Sequence, residues 1–343
     1  MAAALLFPRF APNRRMSRCF ALWLVICGLC LATTLPARPC RAACTAAKSV
    51  LYMSFPEGSQ PDTLYLPLVQ AWGAGGAHGM TMERAPGRGG SYALSRLVLD
   101  KRLECALAAV QIPSFHFLTS APNRMVRAEE IAPLGVFAYA PHALWVSERS
   151  PFRNVRDLAD FALATKQGSP RLVIAGTGSY TDHHLATLAL DRALGVKSIY
   201  YPISGSNEAP ALMENNTIHA CWGYALPGQS MPGMRPLAVT AKERSAALPD
   251  SPTFTEQGID AVSGSHFGLA MAADVPEGTR AELADRLIAL MADPALRKLY
   301  AERGISPLSL VGNDLKNFLA RHTEEAEKLL REYPLFPRRI LGK

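Results

Sequence analysis

Three strand-loop-helix junctions limit what this 343-residue chain can fold into. The clearest begins with the short apolar run Arg171-Leu-Val-Ile-Ala175. It continues through Gly176, Thr177, Gly178, Ser179, Tyr180 and Thr181, and apolar residues then return at Leu185, Leu188, Leu190 and Leu194. This order predicts a buried strand, a loop of glycine and hydroxyl residues, and a helix capped near Thr181 or Asp182. The same order recurs at Ser49–Phe55, where Pro56–Asp62 leads to a helix over 63–72. It recurs again at Ser198–Ile203, where Ser204-Gly-Ser-Asn207 leads to a helix over 208–214. Ligands of open α/β sheets bind beyond the carboxyl ends of the strands. Three polar loops at such ends could therefore converge on one small anion. A helix N-terminus would offer it unpaired N–H groups and a partial positive charge. For any single loop, a tight connection that holds nothing is the competing reading.

The length and a 49% hydrophobic content suit two α/β domains rather than one small core. The formal net charge of +7 is misleading, because residues 1–43 contain Arg9, Arg14, Arg15, Arg18, Arg38 and Arg41 and no acid. Without them the balance falls to about +1, so the basic character is no argument for nucleic acid. The arginines precede an apolar run from Cys19 to Leu31, and Ala42 and Ala43 follow. This pattern predicts an export signal over 1–43, with Met16 as an alternative start. The run is short for a membrane span. Arg41, three residues before Cys44, argues against a lipid anchor at that cysteine. Of the seven cysteines, Cys105 and Cys221 lie deep in the body among apolar neighbours. They read as buried small hydrophobes rather than as a disulfide or zinc ligands.

Further along, Pro86-Gly-Arg-Gly-Gly90 reads as a turn before a helix over 91–100. Residues 103–110, 131–139 and 142–146 are apolar or strand-like. A helix is expected over 155–165, strands over 217–222, 235–239 and 265–271, and helices over 277–291, 294–303 and 313–331.

Several of these stretches, in their order and spacing, resemble one family. Phe55-Pro-Glu-Gly-Ser-Gln-Pro-Asp-Thr63 is similar to a first binding loop, and Pro86-Gly-Arg-Gly-Gly90 to a Pro-Gly-Ala-Gly-Gly turn. Ser150-Pro-Phe152, the stretch from Gly176 to Leu185, Tyr201-Pro-Ile-Ser-Gly-Ser206, Arg235-Pro-Leu-Ala-Val-Thr240 and Leu248-Pro-Asp-Ser-Pro-Thr253 also match. Together they resemble the periplasmic substrate-binding receptors of tripartite tricarboxylate transporters, the Bug family. The resemblance implies an α/β fold, a two-lobed type II periplasmic binding protein with a mixed sheet and flanking helices in each lobe and a hinge between. Residues 46–144 plus 266–343 would form lobe 1 and residues 145–265 lobe 2. It also implies a small carboxylate in the cleft, held by loop backbone, hydroxyls and water more than by arginine clamps. The protein would be periplasmic and monomeric, would hold no cofactor and would serve membrane transporter subunits.

The ligand-binding residues expected from the three loops are Phe55, Ser59 and Asp62, then Thr177, Ser179, Tyr180 and Thr181, then Ser204, Gly205 and Ser206. Phe55 would wall the cleft, hydroxyls would donate to carboxylate oxygens, and Asp62 would either cap its helix or touch the ligand. Three departures from the family pattern bear on the ligand: Glu57 in the first loop, His219 in place of an Asp, and Asp100-Lys-Arg-Leu-Glu104. Glu57, unless it faces solvent, could retune the receptor to a neutral or cationic solute. Two other classes remain open. A hydrolase would use Ser179, Asp182 and His183 or His184, but no glycine follows Ser179 at the spacing of a nucleophile elbow. A metal module would use Asp182, His183, His184 and His219, but adjacent histidines diverge on a helix.

Overall fold

The computed structural model describes residues 48–73, 79–100, 105–120, 124–164, 171–226 and 231–332. The expected leader and Cys44 lie outside them. Strand β1 (Lys48–Met53) leads to α1 (Gln60–Gly73), β2 (Gly79–Arg84), α2 (Ser91–Leu99), β3 (Ala106–Ile112) and α3 (Ser114–Ser120). Then come β4 (Ile131–Ser147), α4 (Val155–Ala164), β5 (Val173–Thr177), α5 (Asp182–Leu194), β6 (Ile199–Ile203) and α6 (Ala209–Glu214). Strands β7 (Ala220–Tyr224), β8 (Met234–Val239) and β9 (Gly264–Ala272) precede α7 (Glu277–Ala292), α8 (Pro294–Glu302), β10 (Ser306–Leu310) and α9 (Gly312–Glu332).

The strands follow the order β2-β1-β3-β9-β4-β7-β5-β6, and β8 and β10 also pair with β4. Strand β1 lies parallel to β2 and β3, and β5 parallel to β6 and β7. Strands β9 and β4 join these groups through antiparallel ladders. The expected α/β fold with a mixed sheet and flanking helices is therefore present. The 17-residue β4 runs through the middle. Its first part pairs with β9 and β10, and its last part with β7 and β8. The two apolar segments read separately at 131–139 and 142–146 are thus one strand. Pro133 and Pro141 interrupt its pattern, and the ladder with β9 absorbs Pro133 by a register shift.

Side chains bury on both sides of each half. Tyr65 of α1 makes edge contacts with Phe137 of β4 and Phe267 of β9, and Tyr300 of α8 packs behind them. Gly135 lets α7 come close: a Cβ there would lie 2.6 Å from Leu287 Cδ2. In the other half, Trp222 stacks on Phe254 over a core of Leu144, Ile174 and Leu190. Each such large side chain contributes roughly 1.5–3 kcal/mol when fully buried. Helix α5 ends at Gly195, whose φ of 67° suits the left-handed C-terminal stop.

Other expectations need correction. Ser306–Leu310 forms an edge strand where the sequence pattern indicated none. Cys105 is half of a disulfide bond, so it is not simply a buried hydrophobe, whereas Cys221 is free and buried as expected. Among the described residues no helix is long and apolar enough to cross a membrane.

Candidate functional site

The three loops meet. Gly205, after β6, lies against Pro56, after β1: a Cβ at Gly205 would be 2.9 Å from Pro56 Cγ. The turn before α2 touches the loop before α5 more closely still, since a Cβ at Gly178 would be 2.9 Å from Gly89 Cα. These contacts frame a cavity of about 350 Å³, at the small end of the range for ligand sites. Of the residues expected to bind a ligand, Phe55, Thr177, Ser179, Tyr180, Thr181 and Ser204 line it.

The remaining expected residues shape the loops without lining the cavity. Ser59 donates its hydroxyl to Pro56 O at 2.7 Å. Asp62 accepts from the Gly58 amide at 3.0 Å and pairs with Arg84, so its carboxylate holds the first loop. Gly205 provides the close approach to Pro56, and Ser206 is buried. Glu57 is well exposed, 3.8 Å from Arg84, and is not part of the lining. Residues not anticipated complete the wall: Gly87, Arg88 and Ser91 from the turn before α2, Gln111 at the end of β3, and Leu118 and Arg124 nearby. The glycine run at 87–90 was the available signal for the first group. The others arrive through tertiary packing.

The loop before α5 has little donor capacity left. The Thr177 amide donates to His183 Nδ1, the Gly178 amide to Ile203 O, and the Tyr180 amide to His184 Nδ1. The Asp182 amide donates to Ser114 Oγ, and the His183 amide to the Asp182 carboxylate. The Thr181 hydroxyl donates to Gly178 O. Of the amides at the helix start, those of Asp182 and His183 are thus taken, while among the described residues the Ser179, Thr181 and His184 amides keep no partner, so the expected unpaired set is present only in part. Among the described residues that line the cavity, the hydroxyls of Ser91, Ser179 and Ser204 keep no partner. They are hydroxyl donors the cavity offers a ligand.

Behind the loop lies a buried polar network. Asp182 Oδ1 accepts from Ser114 Oγ at 3.2 Å, and Oδ2 lies 3.4 Å from both His142 Nε2 and Tyr224 OH. His142 also meets Ser263 and Ser265, and Tyr224 meets Gln111. Burial works against the Asp182 carboxylate, but His183, then His142 and the His183 amide, hold it below the ordinary carboxylate range. Burial pushes His183 and His184 down to about 4, so both rings are neutral at pH 7.

His142, Asp182 and His183 are close enough to suggest a metal site. The donor set does not fit one. Nδ1 of His183 accepts from an amide, so the neutral ring carries its proton on Nε2 and has no lone pair left for an ion. His184 stacks on Tyr200 at 4.2 Å, with its Nδ1 taken by the Tyr180 amide. It is not arranged as a base for Ser179. His219 packs against Phe161 and accepts from the Val173 amide, away from this cluster.

The loops thus enclose a small cavity with hydroxyl and arginine residues in its walls. Residues 113–335 match the model of the tripartite tricarboxylate transporter family receptor, and the chain belongs to this family. Such members are receptors and not enzymes. The UPF0065 protein in the gbd 5′ region of Cupriavidus necator is 23% identical over 264 residues, which is 74% of this chain and 77% of that protein. The periplasmic binding protein BugD superposes with a TM-score of 0.72 at 18% identity, covering 83% of this chain and 97% of that one. MatC from Rhodopseudomonas palustris with bound malate gives 0.71 at 18% identity, covering 82% and 99%. An R. palustris protein with adipate gives 0.72 at 19% identity, covering 83% and 96%.

Proposed function

We propose that the chain is an exported receptor that captures a small organic anion, a carboxylate, and delivers it to the membrane subunits of a tripartite tricarboxylate-type transporter. The observation that carries this reading is the charge of the cavity: among the described residues its charged lining side chains are Arg88 and Arg124, and no carboxylate lines it. The exposed position of Glu57 gives no support to a receptor retuned to a cation. The malate and adipate complexes of fold neighbours agree in ligand type. The ligand is held by Phe55, Ser179, Ser204 and the Thr177–Thr181 loop, while Ser59, Asp62, Gly205 and Ser206 keep the loops in shape.

Residues 46–144 plus 266–343 form one lobe and 145–265 the other, and they close by a hinge in β4 and β9. The disulfide at Cys105 agrees with export, since such bonds persist in oxidising compartments. The receptor works as a monomer and binds no nucleic acid.

A thermal-shift panel tests the reading. It contains mono-, di- and tricarboxylates, acidic amino acids, a cationic amino acid and a sugar. A ligand at about 100 times its dissociation constant adds about 2.7 kcal/mol, a clear rise in melting temperature. A rise with a carboxylate is expected. A rise with only the cation or the sugar would refute the proposal.

A further inference from the structure

The wall of the cavity expected to hold the anion has most of its amides committed. The amides of Thr177, Gly178, Tyr180 and Asp182 are committed, and the Asp182 carboxylate already occupies the start of α5. A negative group approaching that helix finds only the Ser179, Thr181 and His184 amides without a partner, with a buried carboxylate behind them.

The opposite wall is different. Gly87, Arg88, Gly89 and Gly90 all have positive φ, at 119°, 47°, 65° and 108°. Three of the four are glycine, for which this backbone is unstrained. Arg88 is the exception, and a non-glycine residue is disfavoured there. The turn cannot relax easily, because Gly89 is wedged between Thr181 and Leu118. The side chain held at this unfavourable position lines the cavity. Its neighbours on the same half are matched: Arg84 with Asp62, and Arg96 with Glu83. Among the described residues Arg88 has no acidic partner.

On the basis of the receptor reading above, we infer that Arg88 is the residue that reads ligand charge, binding one carboxylate of a dicarboxylate whose other end meets Ser179 and Ser204. The guanidinium is permanently charged and its fork matches a carboxylate in two-point contact. The arginine supplies the formal charge that the helix N-terminus lacks, and it selects diacids over monoacids of equal length.

The test uses the full-length protein and Arg88→Gly, Arg88→Ala and Arg88→Lys variants. Calorimetric titrations use succinate, glutarate and adipate against butyrate, valerate and hexanoate, and melting temperatures are recorded without ligand. Wild type should bind its best diacid at least about ten-fold more tightly than the matched monoacid. Arg88→Gly should melt at the same temperature or higher, because the turn then suits its backbone, yet lose most of that preference. Arg88→Lys should retain part of the preference and Arg88→Ala none. A glycine variant that binds the diacid as wild type does would overturn this inference alone. So would one that melts lower and loses both ligand types together, since that marks a structural role. If wild type binds no carboxylate, the receptor reading fails and this inference fails with it.

Discussion

Replacing Asp182 should separate the charge of the buried network from its hydrogen bonds. Its carboxylate accepts from the His183 amide at 3.0 Å and from Ser114 Oγ at 3.2 Å, both on Oδ1. The contacts of Oδ2 to His142 and Tyr224 are longer, at 3.4 Å. His142 Nε2 and Tyr224 OH also reach Ser265 Oγ, at 2.9 and 3.3 Å, so neither is stranded when Oδ2 changes. Asp182→Asn keeps both Oδ1 contacts and loses only the charge and the weaker pair, for a cost of about 1–2 kcal/mol. Asp182→Ala strands the His183 amide and empties a fully buried site, for about 3–5 kcal/mol, a large share of a typical domain's stability. Urea denaturation at pH 7 measures both. The native-state pKa of Asp182 is depressed, so its stabilisation is present above the unfolded carboxylate pKa and is lost as pH falls toward the native value. The gap between wild type and Asp182→Asn should therefore be constant near neutrality and shrink below about pH 4. Equal costs for Asn and Ala, or a cost below about 1 kcal/mol for Ala, would refute the role given to Asp182.

Three other outcomes follow from the same geometry. Gly178→Ala combines a φ of 76° with a contact at 2.9 Å to Gly89 Cα. It should cost about 2–4 kcal/mol in melts and weaken ligand binding, because the two facing loops are forced apart. Gln60→Ala removes the acceptor of the Tyr224 amide at 2.8 Å and the donor to Tyr224 O at 3.3 Å, leaving two buried backbone groups unpaired. Denaturation should show a loss of about 2–4 kcal/mol, and a loss below about 0.5 would contradict the clamp. Burial holds His116, His183 and His184 at about 4 and His266 at about 3, below the 6.5 of a free imidazole. The unfolded chain therefore takes up protons first, so stability is full above about pH 7 and falls steadily toward pH 4, by roughly 1–2 kcal/mol per histidine at pH 5. A melting temperature that stays flat from pH 7 to 5 would contradict this burial.

What was legible in the sequence was local. The β5–α5 junction stands out because β-branched residues, a glycine-hydroxyl loop and a helical apolar spacing follow one another within a short stretch. What was not legible depends on distant partners. Strand β4 reads as two pieces because Pro141 breaks its pattern, and only pairing with β7 to β10 makes it continuous. Strand β10 is a short, half-buried edge with a proline, so alternation is faint. The cavity follows the same rule. Its hydroxyl loop was visible, but the commitment of that loop's amides was not, because Ser114 and Ile203 come from other elements. The Gly87–Gly90 turn was visible as a turn, but its meeting with Gly178 is a tertiary contact.

A crystal structure of the protein with the carboxylate that raises its melting temperature most is the direct test of the receptor account. Electron density for that molecule is predicted between the turn at Gly87–Ser91 and the loop at Thr177–Thr181. One carboxylate should lie within hydrogen-bond distance of Ser179 or Ser204. Density at another site, or a cavity left to solvent at saturating ligand, would contradict it.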